Sequence, residues 1–195
     1  MWVVWDATIK WSETWTSFRQ ALYFKDECWL NLHDTMIWKK TTPVPQFKTM
    51  RYTQSFEYMF VLSNWKPKTC NYLETKCKTA GNKKNRNNNG TFSQNSADRP
   101  REEITTTKET KILDNVWEYP VGGKKDLWHP AVFPEKLAED HILSWSNEWE
   151  IVLDPFMWSN TTWKMAELNN RKWIWIELDE NYFNIWCERI FNFNK

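Results

Sequence analysis

The segment at residues 154–163, DPFMWSNTTW, carries residue types that bind an anionic ligand. The apolar run at 151–153 before it predicts a strand, and the hydroxyl residues Ser159, Thr161 and Thr162 lead into a helical pattern. A tight turn between a strand and a helix directs backbone N–H groups and the positive end of the helix dipole at a ligand. The sequence therefore predicts a ligand-binding loop at the carboxyl end of this strand.

A second candidate group, Glu177, lies 23 positions after Asp154, at the end of the next predicted strand, residues 173–176. In nucleotide-binding α/β folds, an acid about 20 residues further on accepts hydrogen bonds from ribose hydroxyls. A carboxylate suits this role because its two oxygens can accept from two adjacent hydroxyls. We predict that Glu177 binds a ribose; an exposed acid at a strand end is the alternative interpretation.

Tryptophan is over-represented in this chain and glycine is scarce. The chain has 16 Trp and 4 Gly in 195 residues, whereas ordinary usage predicts roughly 14 Gly. Several tryptophans stand in polar, turn-like contexts, among them Trp11, Trp15 and Trp65. We hypothesise that many of them are glycine codons read as tryptophan, as happens when a UGA codon reassigned to glycine is translated under another code. A genuinely tryptophan-rich protein is the alternative.

The C-terminal part of the chain alternates helices and strands. A helix beginning at Pro134, the strand at 151–153, a helix after the loop, the strand at 173–176 and a helix at 180–190 follow one another. This order predicts a doubly wound α/β sheet in which the two strands are adjacent and parallel, with ligands at their carboxyl ends. The residues predicted to face the core are Leu137, Ala138, Ile142 and Trp145, then Met165, Ala166 and Leu168, and finally Tyr182 or Phe183, Trp186 and Ile190.

The N-terminal region, residues 1–62, is rich in β-branched and aromatic residues and predicts strands at 2–4, 30–38 and 56–62. Between the first two strands, residues 17–26 predict a helix. Its inward-facing residues are expected to be Phe18, Ala21 and Leu22. Because the chain starts almost inside a strand, we expect the fold to continue upstream of Met1.

The region at 63–120 is locally basic, although the net charge of the whole chain is only +1. Between Lys66 and Arg86 there are seven Lys/Arg residues against one acid, Glu74, and an Asn-rich loop follows. Basic side chains neutralise phosphates, and Arg and Asn side chains can read base edges. This pattern favours a DNA-facing module; a solvated, disordered insert is the alternative. The candidate DNA-binding residues are Lys76, Lys78, Lys83, Lys84 and Arg86.

The remaining composition argues against a metal site, a disulfide framework and a membrane segment. The four cysteines have no C-x-x-C spacing, and the three histidines are scattered along the chain. No apolar run reaches the length of a membrane span, and Met1 does not begin a signal-like segment. These features are typical of a reduced, cytoplasmic protein that needs no metal.

Three segments taken together resemble one enzyme family. HPAVFPEKL at 129–137, DPFMWSNTT at 154–162 and WIWIELDENYF at 173–183 are closely similar to the C-terminal half of site-specific DNA methyltransferases that modify exocyclic amines, N6 of adenine or N4 of cytosine. The start of the chain, WVVWDATIKWSETWTSF, resembles the strand and loop that follow the family's catalytic motif. The family pattern has glycine at the positions occupied here by Trp5, Trp11, Trp15, Trp158, Asn160 and Trp163.

The resemblance implies the Rossmann-like α/β sheet of methyltransferases that use S-adenosylmethionine, truncated at its N-terminus and carrying a basic recognition insert. Residues 1–62 would be the remaining part of the catalytic half, 63–120 the target-recognition region and 121–195 the cofactor-binding half. The residues implied to bind S-adenosylmethionine are His129, Pro130, Phe133, Pro134, Glu135, Asp154, Pro155, Phe156, Trp158, Ser159, Thr161, Thr162 and Glu177.

The implied activity is methyl transfer from S-adenosylmethionine to N6 of adenine, the favoured target, or N4 of cytosine at a specific site in double-stranded DNA. A cognate restriction endonuclease is the further partner expected, and no metal is needed. The family's catalytic signature, Asp/Asn/Ser followed by Pro-Pro and an aromatic residue, is expected upstream of Met1, because this sequence has no Pro-Pro. The chain alone is therefore expected to be inactive. Two alternatives stay open: a nucleotide-cofactor oxidoreductase with a degenerate loop, and a DNA-binding protein without catalysis.

Overall fold

A computed structural model of the protein describes residues 1–4, 6–43, 45, 50–78, 80, 83–84, 105–106, 108–121, 134–157 and 161–193. The chain divides into two compact units. Unit 1 comprises Met1–Asn71 and Asp114–Lys195, and unit 2 comprises Tyr72–Leu113. Unit 2 lies inside the region whose composition predicts DNA recognition.

The described part of the chain contains twelve strands and four helices, which include, to within a few residues, the five strands and four helices that the sequence predicts. In chain order they are β1 (Trp2–Val4), β2 (Thr8–Ile9), β3 (Ser12–Glu13), α1 (Thr16–Asp26), β4 (Asn31–Lys40), β5 (Phe56–Ser63), β6 (Glu74–Lys76), β7 (Lys83–Lys84), β8 (Thr105–Thr106), β9 (Thr110–Ile112), β10 (Val116–Tyr119), α2 (Glu135–Trp145), β11 (Ile151–Asp154), α3 (Thr161–Leu168), β12 (Lys172–Trp175) and α4 (Glu180–Phe193). The last helix is longer than predicted, since it continues to Phe193.

Unit 1 contains a four-stranded mixed sheet in the order β1-β5-β4-β10. Strands β1 and β4 are antiparallel to β5, whereas β10 runs parallel to β4, with Val116 opposite Ile37. Aromatic side chains favour such strands because they pack well on a pleated surface. The buried residues of this sheet are Met36 and Trp38 of β4, Met59, Phe60 and Val61 of β5, and Trp117 of β10.

Helix α1 docks on this sheet through the face that carries Ser17 and Ala21. Both side chains are buried, and the Phe18 ring makes an edge contact with the ring of Tyr58 at 4.8 Å between centroids. The prediction that Leu22 faces inward is wrong, since this residue is 55% exposed. Successive side chains on a helix are rotated by about 100°. Because the buried face of α1 carries Ser17 and Ala21, the next residue, Leu22, points away from the sheet.

The first turn of α1 is held by Asp6. Its Oδ1 accepts a hydrogen bond from the backbone N–H of Ser17 at 2.9 Å, and its Oδ2 accepts one from the Ser17 hydroxyl. We expect Asp6→Ala to lower the free energy of unfolding by about 1–3 kcal/mol, because two buried donors lose their acceptor. Urea unfolding measures this, with Asp26→Ala at the exposed end of the same helix as the control. Equal midpoints for the two variants would contradict the prediction.

Strands β11 and β12 form a parallel pair, as predicted, with Asp154 opposite Trp175. Helices α2, α3 and α4 all pack on one face of this pair. On that face, Val152 and Trp173 contact Ala138, Ile142, Met165 and Ala166. The opposite face carries four apolar side chains that are 49–61% exposed: Ile151, Leu153, Ile174 and Ile176.

One predicted core position, at the end of α3, needs correction, and the structure decides between the two alternatives given for α4. Leu168 is 56% exposed, because it is the last residue of α3 and the chain turns immediately after it. Of the two alternatives on α4, Tyr182 packs against the core whereas Phe183 is 41% exposed. Ile190 also packs there, as predicted, and the side chain of Trp186 lies outside the described residues.

The described residues of unit 2 form two short antiparallel strand pairs. Strand β6 pairs with β9, with Glu74 opposite Ile112, and β7 pairs with β8, with Lys83 opposite Thr106. The N–H of Leu113 donates to the carbonyl of Leu73 at 2.8 Å, which extends the first pair by one further bond.

Candidate functional site

The carboxyl ends of β11 and β12 bring the two predicted ligand-binding acids to one edge of their sheet. Asp154 is the last residue of β11, and its carbonyl accepts a hydrogen bond from the N–H of Ile176 at 3.0 Å. Glu177 follows Ile176 directly. Asp154 and Glu177 therefore stand at neighbouring strand ends, where parallel α/β sheets bind their ligands.

The turn after β11 is built by Asp154 itself. Its Oδ1 accepts a hydrogen bond from the N–H of Phe156 at 3.0 Å, which closes an Asx-type turn over Pro155. Met157 then returns to the sheet, because its N–H donates to the carbonyl of Ile176 at 3.3 Å. Backbone bonds thus hold the loop to the end of β12 on both sides, while Phe156 is 59% exposed.

A small core formed by Met157 and Trp163 lies beneath this loop. Trp173 and Trp175 of β12 and Tyr182 and Ile190 of α4 pack against it. The rings of Trp163 and Trp173 are perpendicular, with their centroids 6.0 Å apart. Trp163, which stands where the family pattern has glycine, is therefore a buried packing residue in this structure.

One carboxylate oxygen of Glu177 is buried without a hydrogen-bond partner among the described residues. This oxygen is Oε2, whereas Oε1 accepts a hydrogen bond from the N–H of Asp179 at 2.9 Å. Asp179 in turn caps α4, because its Oδ1 accepts from the N–H groups of Asn181 and Tyr182 at 2.9 and 3.1 Å. Buried polar atoms are normally hydrogen-bonded, so Oε2 is a candidate acceptor for a ligand hydroxyl.

The N-terminal ends of α2 and α3 are joined by an ion pair. The carboxylate of Glu135, the first residue of α2, lies 2.7 Å from Nζ of Lys164 on α3. Pro134 is the buried N-cap of α2, and Thr161, the first residue of α3, is also buried, whereas Thr162 is half-buried. The remaining predicted cofactor residues, His129, Pro130, Phe133, Trp158 and Ser159, lie outside the described residues.

A family model for DNA methylases that modify N6 or N4 amines matches residues 6–188 of this chain. The chain belongs to this family. The family resemblance inferred from HPAVFPEKL, DPFMWSNTT and WIWIELDENYF is thereby confirmed.

Two relatives show how far the likeness to known methylases extends. The orphan methyltransferase M.BamHII of Bacillus amyloliquefaciens is 49% identical over 201 residues, which cover 99% of this chain and 74% of M.BamHII. The DNA adenine methyltransferase YhdJ of Escherichia coli strain K12 is 40% identical over 83 residues, 41% of this chain and 28% of YhdJ. The methylase chain thus spans about three quarters of the first relative and under a third of the second.

Solved structures confirm the predicted Rossmann-like methyltransferase fold. The cytosine-N4-specific PvuII DNA methyltransferase superposes with a TM-score of 0.64 at 19% identity, over 91% of this chain and 58% of that protein. M1.HpyAVI, solved as a complex with SAM, superposes with a TM-score of 0.60 at 22% identity, over 95% of this chain and 72% of that protein.

The candidate DNA-binding residues of the methylase fall in unit 2. Lys76 ends β6 and Lys78 follows two residues later, and both are exposed. Lys83 and Lys84 form β7, although their side chains are outside the described part of the chain, as is the whole of Arg86. Their contact with DNA stays a prediction.

A polar network between β10 and α2 was not predicted from the methylase sequence. The Tyr119 hydroxyl donates to Asp140, and Nζ of Lys136 lies 2.8 Å from both Glu139 and Asp140. Burial, together with the bond to Asp140, raises the pKa of Tyr119 far above its usual range, so the phenol keeps its proton. The spacing of Lys136 and Asp140 on one helix was readable in the sequence, whereas Tyr119 lies on a distant strand.

A buried histidine of the methylase, His141, was also missed as a core residue. Its Nε2 lies 3.2 Å from the sulfur of Met59, and its ring centroid is 4.5 Å from that of Trp117. Its Nδ1 is buried without a hydrogen-bond partner in the described part of the molecule. Burial, and secondarily the N-terminal ammonium group, lowers the pKa of His141 to about 3, so the ring is neutral at neutral pH.

The sequence predicts that the protein has no metal site, no disulfide framework and no membrane span. Within the described ranges, no group of three or more His, Cys, Asp and Glu side chains is arranged to hold a metal ion. The cysteines Cys28, Cys70, Cys77 and Cys187 are not joined in disulfides. None of the described helices combines the length and apolarity needed to cross a bilayer.

Proposed function

We propose that this chain binds S-adenosylmethionine and double-stranded DNA, as the cofactor-binding and target-recognition portion of an enzyme that methylates an exocyclic amine of DNA. Glu177 carries the proposal, because its buried Oε2 lacks a partner among the described residues and because Glu177 follows Ile176, whose backbone is hydrogen-bonded to the loop after Asp154. The unpartnered oxygen of Glu177 supports a role as acceptor for a ligand hydroxyl, and membership of the family supports S-adenosylmethionine as that ligand.

The cofactor would be held by groups from three elements. Glu177 would accept hydrogen bonds from the ribose hydroxyls, while the loop at 154–157 and the residues Thr161 and Thr162 would line the pocket beside it. Pro134 and Glu135 would border the amino-acid end, with Glu135 held in place by Lys164. M1.HpyAVI, which shares this fold, was solved with SAM bound.

S-adenosylmethionine supplies an electrophilic methyl group on a positively charged sulfur. When bound, the cofactor would supply this methyl group to the lone pair of the target amine, with the sulfur keeping the electron pair of the broken C–S bond as a thioether and the amine proton passing to solvent. The protein must align amine and methyl group after the base has rotated out of the duplex. This chain would hold the cofactor and DNA. The Pro-Pro signature that orients the amine does not occur in its sequence.

We propose N6 of adenine as the first target to test. YhdJ, a DNA adenine methyltransferase, is 40% identical over the segment that it shares with this chain. The likeness to the cytosine-N4-specific PvuII enzyme, at 19% identity, concerns the fold alone. M.BamHII is named an orphan methyltransferase. For this chain we therefore propose DNA as the partner, without a cognate endonuclease.

Calorimetric titration with S-adenosylmethionine tests the assignment of Glu177. The background carries Trp158→Gly, because the family pattern has glycine there and an indole opposes close approach of the cofactor to the loop backbone. In this background we expect Glu177→Gln to weaken binding roughly 10- to 100-fold, since a charged acceptor of buried hydrogen bonds is lost. The unaltered chain, with Trp158, is expected to bind the cofactor poorly.

The control is Glu148→Gln, which changes an exposed glutamate in the turn before β11. Its affinity should match that of the background. Equal affinities of the Glu177→Gln and Glu148→Gln variants would remove Glu177 from the site. Binding of NAD in place of S-adenosylmethionine would favour the oxidoreductase alternative, and binding of DNA alone would favour the non-catalytic one.

A further inference from the structure

Four tryptophans have a backbone conformation that glycine normally provides. Among the described residues, six non-glycine residues have positive φ, and four of them are Trp11, Trp15, Trp29 and Trp149, with φ of 69°, 51°, 60° and 67°. Tryptophan makes up 16 of the 195 residues, so an unbiased draw of six would contain fewer than one. A Cβ atom clashes with the backbone in this region, and a bulky residue there is an outlier.

Each of the four positions is a turn or a helix end at which glycine has a structural role. Trp11 follows Lys10 in the two-residue turn between β2 and β3, and both have positive φ, as a type I′ hairpin turn requires. Trp15 is the N-cap of α1 and makes no side-chain cap hydrogen bond. Trp29 follows the end of α1, where glycine commonly reverses the chain, and Trp149 lies in the turn between α2 and β11.

Burial of the indole rings does not compensate for the free-energy cost of this backbone conformation. The four residues are strongly exposed, at 81%, 59%, 83% and 67% for Trp11, Trp15, Trp29 and Trp149. By contrast, Trp38 and Trp117 are each 5% exposed, lie within β4 and β10, and are not among the residues with positive φ. These two groups of tryptophan therefore differ in both backbone conformation and burial.

We infer that Trp11, Trp15, Trp29 and Trp149 occupy glycine positions of the natural polypeptide, because the natural host translates the codon UGA as glycine. UGA differs from the tryptophan codon UGG in its third base and from the glycine codon GGA in its first, so one reassigned codon accounts for all four positions. The natural host then contains a glycine-charged tRNA that pairs with UGA. This inference is independent of the proposed methyl transfer, because its tests need neither cofactor nor DNA.

Paired Trp→Gly and Trp→Ala substitutions at each of the four positions distinguish the effect of the backbone conformation on stability from the effect of the indole ring. Both remove the indole, but only glycine relieves the left-handed conformation, so each glycine variant is expected to melt about 2–4 °C above its alanine counterpart. Trp65 is the matched control, because it is 83% exposed and does not have positive φ. There the glycine variant should melt at or below the alanine variant.

Differential scanning calorimetry provides the melting temperatures. Glycine variants that melt at or below the alanine variants at all four positions would overturn the inference. The gene provides a second readout: we expect UGA at codons 11, 15, 29 and 149 and UGG at the codons of the buried Trp38 and Trp117. UGG at all six codons would overturn the inference as well.

Discussion

Replacement of Lys76, Lys78, Lys83 and Lys84 by alanine is expected to remove most of the salt dependence of DNA binding by this chain. Each phosphate contact contributes about −0.9 to the slope of log affinity against log salt, so four contacts contribute about −3.6. Between 50 and 200 mM salt, the unaltered chain should then lose roughly 150-fold more affinity than the variant. Fluorescence anisotropy of a labelled duplex at several salt concentrations measures both slopes.

The matched control removes the same charge from unit 1. The lysines chosen are all exposed: Lys10, Lys25, Lys39 and Lys172. The slope of this control should equal that of the unaltered chain, because the loss of net charge is the same while the predicted phosphate contacts remain. If both variants keep the original slope, the basic segment is a solvated loop and the DNA-facing interpretation fails.

A loss of stability between pH 6.5 and pH 4 is the second large effect expected, and it originates at His141. The pKa of this group falls from 6.5 to about 3 on folding. The unfolded chain therefore binds a proton below pH 6.5, while the folded chain keeps the ring neutral. The stabilisation is complete above pH 6.5 and is lost progressively as the pH falls towards 3. At pH 4 the loss amounts to about 3 kcal/mol.

Urea unfolding at pH 8, 6, 5 and 4 measures this contribution. His141→Leu removes the titrating group and should flatten that part of the profile, even though it changes the contacts with Met59 and Trp117. His33→Gln replaces an exposed histidine and should keep the original profile. A His141→Leu profile parallel to that of the unaltered chain would show that the ring is not buried in its neutral form.

The C-terminal region that contains β11, β12 and their helices was the most predictable part of the fold, because its signals are local. Short apolar runs bounded by turn residues marked β11 and β12, and a strand–helix–strand unit of this length places its strands parallel through a right-handed crossover. Parallel pairing then brings Asp154 and Glu177 to one edge. Asp179 could also have been found, since an acid just before a helix is the pattern of an N-cap.

Contacts between distant segments could not be predicted in this way. His141 and Met59 are 82 positions apart, and Glu135 and Lys164 are 29 apart; no periodicity within one element links such pairs. The errors at Leu22 and Leu168 have a related cause. Local spacing identifies an apolar stripe on a helix, but the partner element decides which part of the stripe is buried and where the helix leaves the core.

The exposed face of the β11–β12 pair has a consequence for the solubility of the isolated chain. Ile151, Leu153, Ile174 and Ile176 form a continuous stripe, because alternate residues of neighbouring strands project to the same side. A stripe of this kind adheres to other apolar surfaces, and a net charge of +1 provides little electrostatic repulsion between molecules at neutral pH. We therefore expect this stripe to lower the concentration at which the chain stays monomeric, and we expect conditions that raise the net charge to raise that concentration.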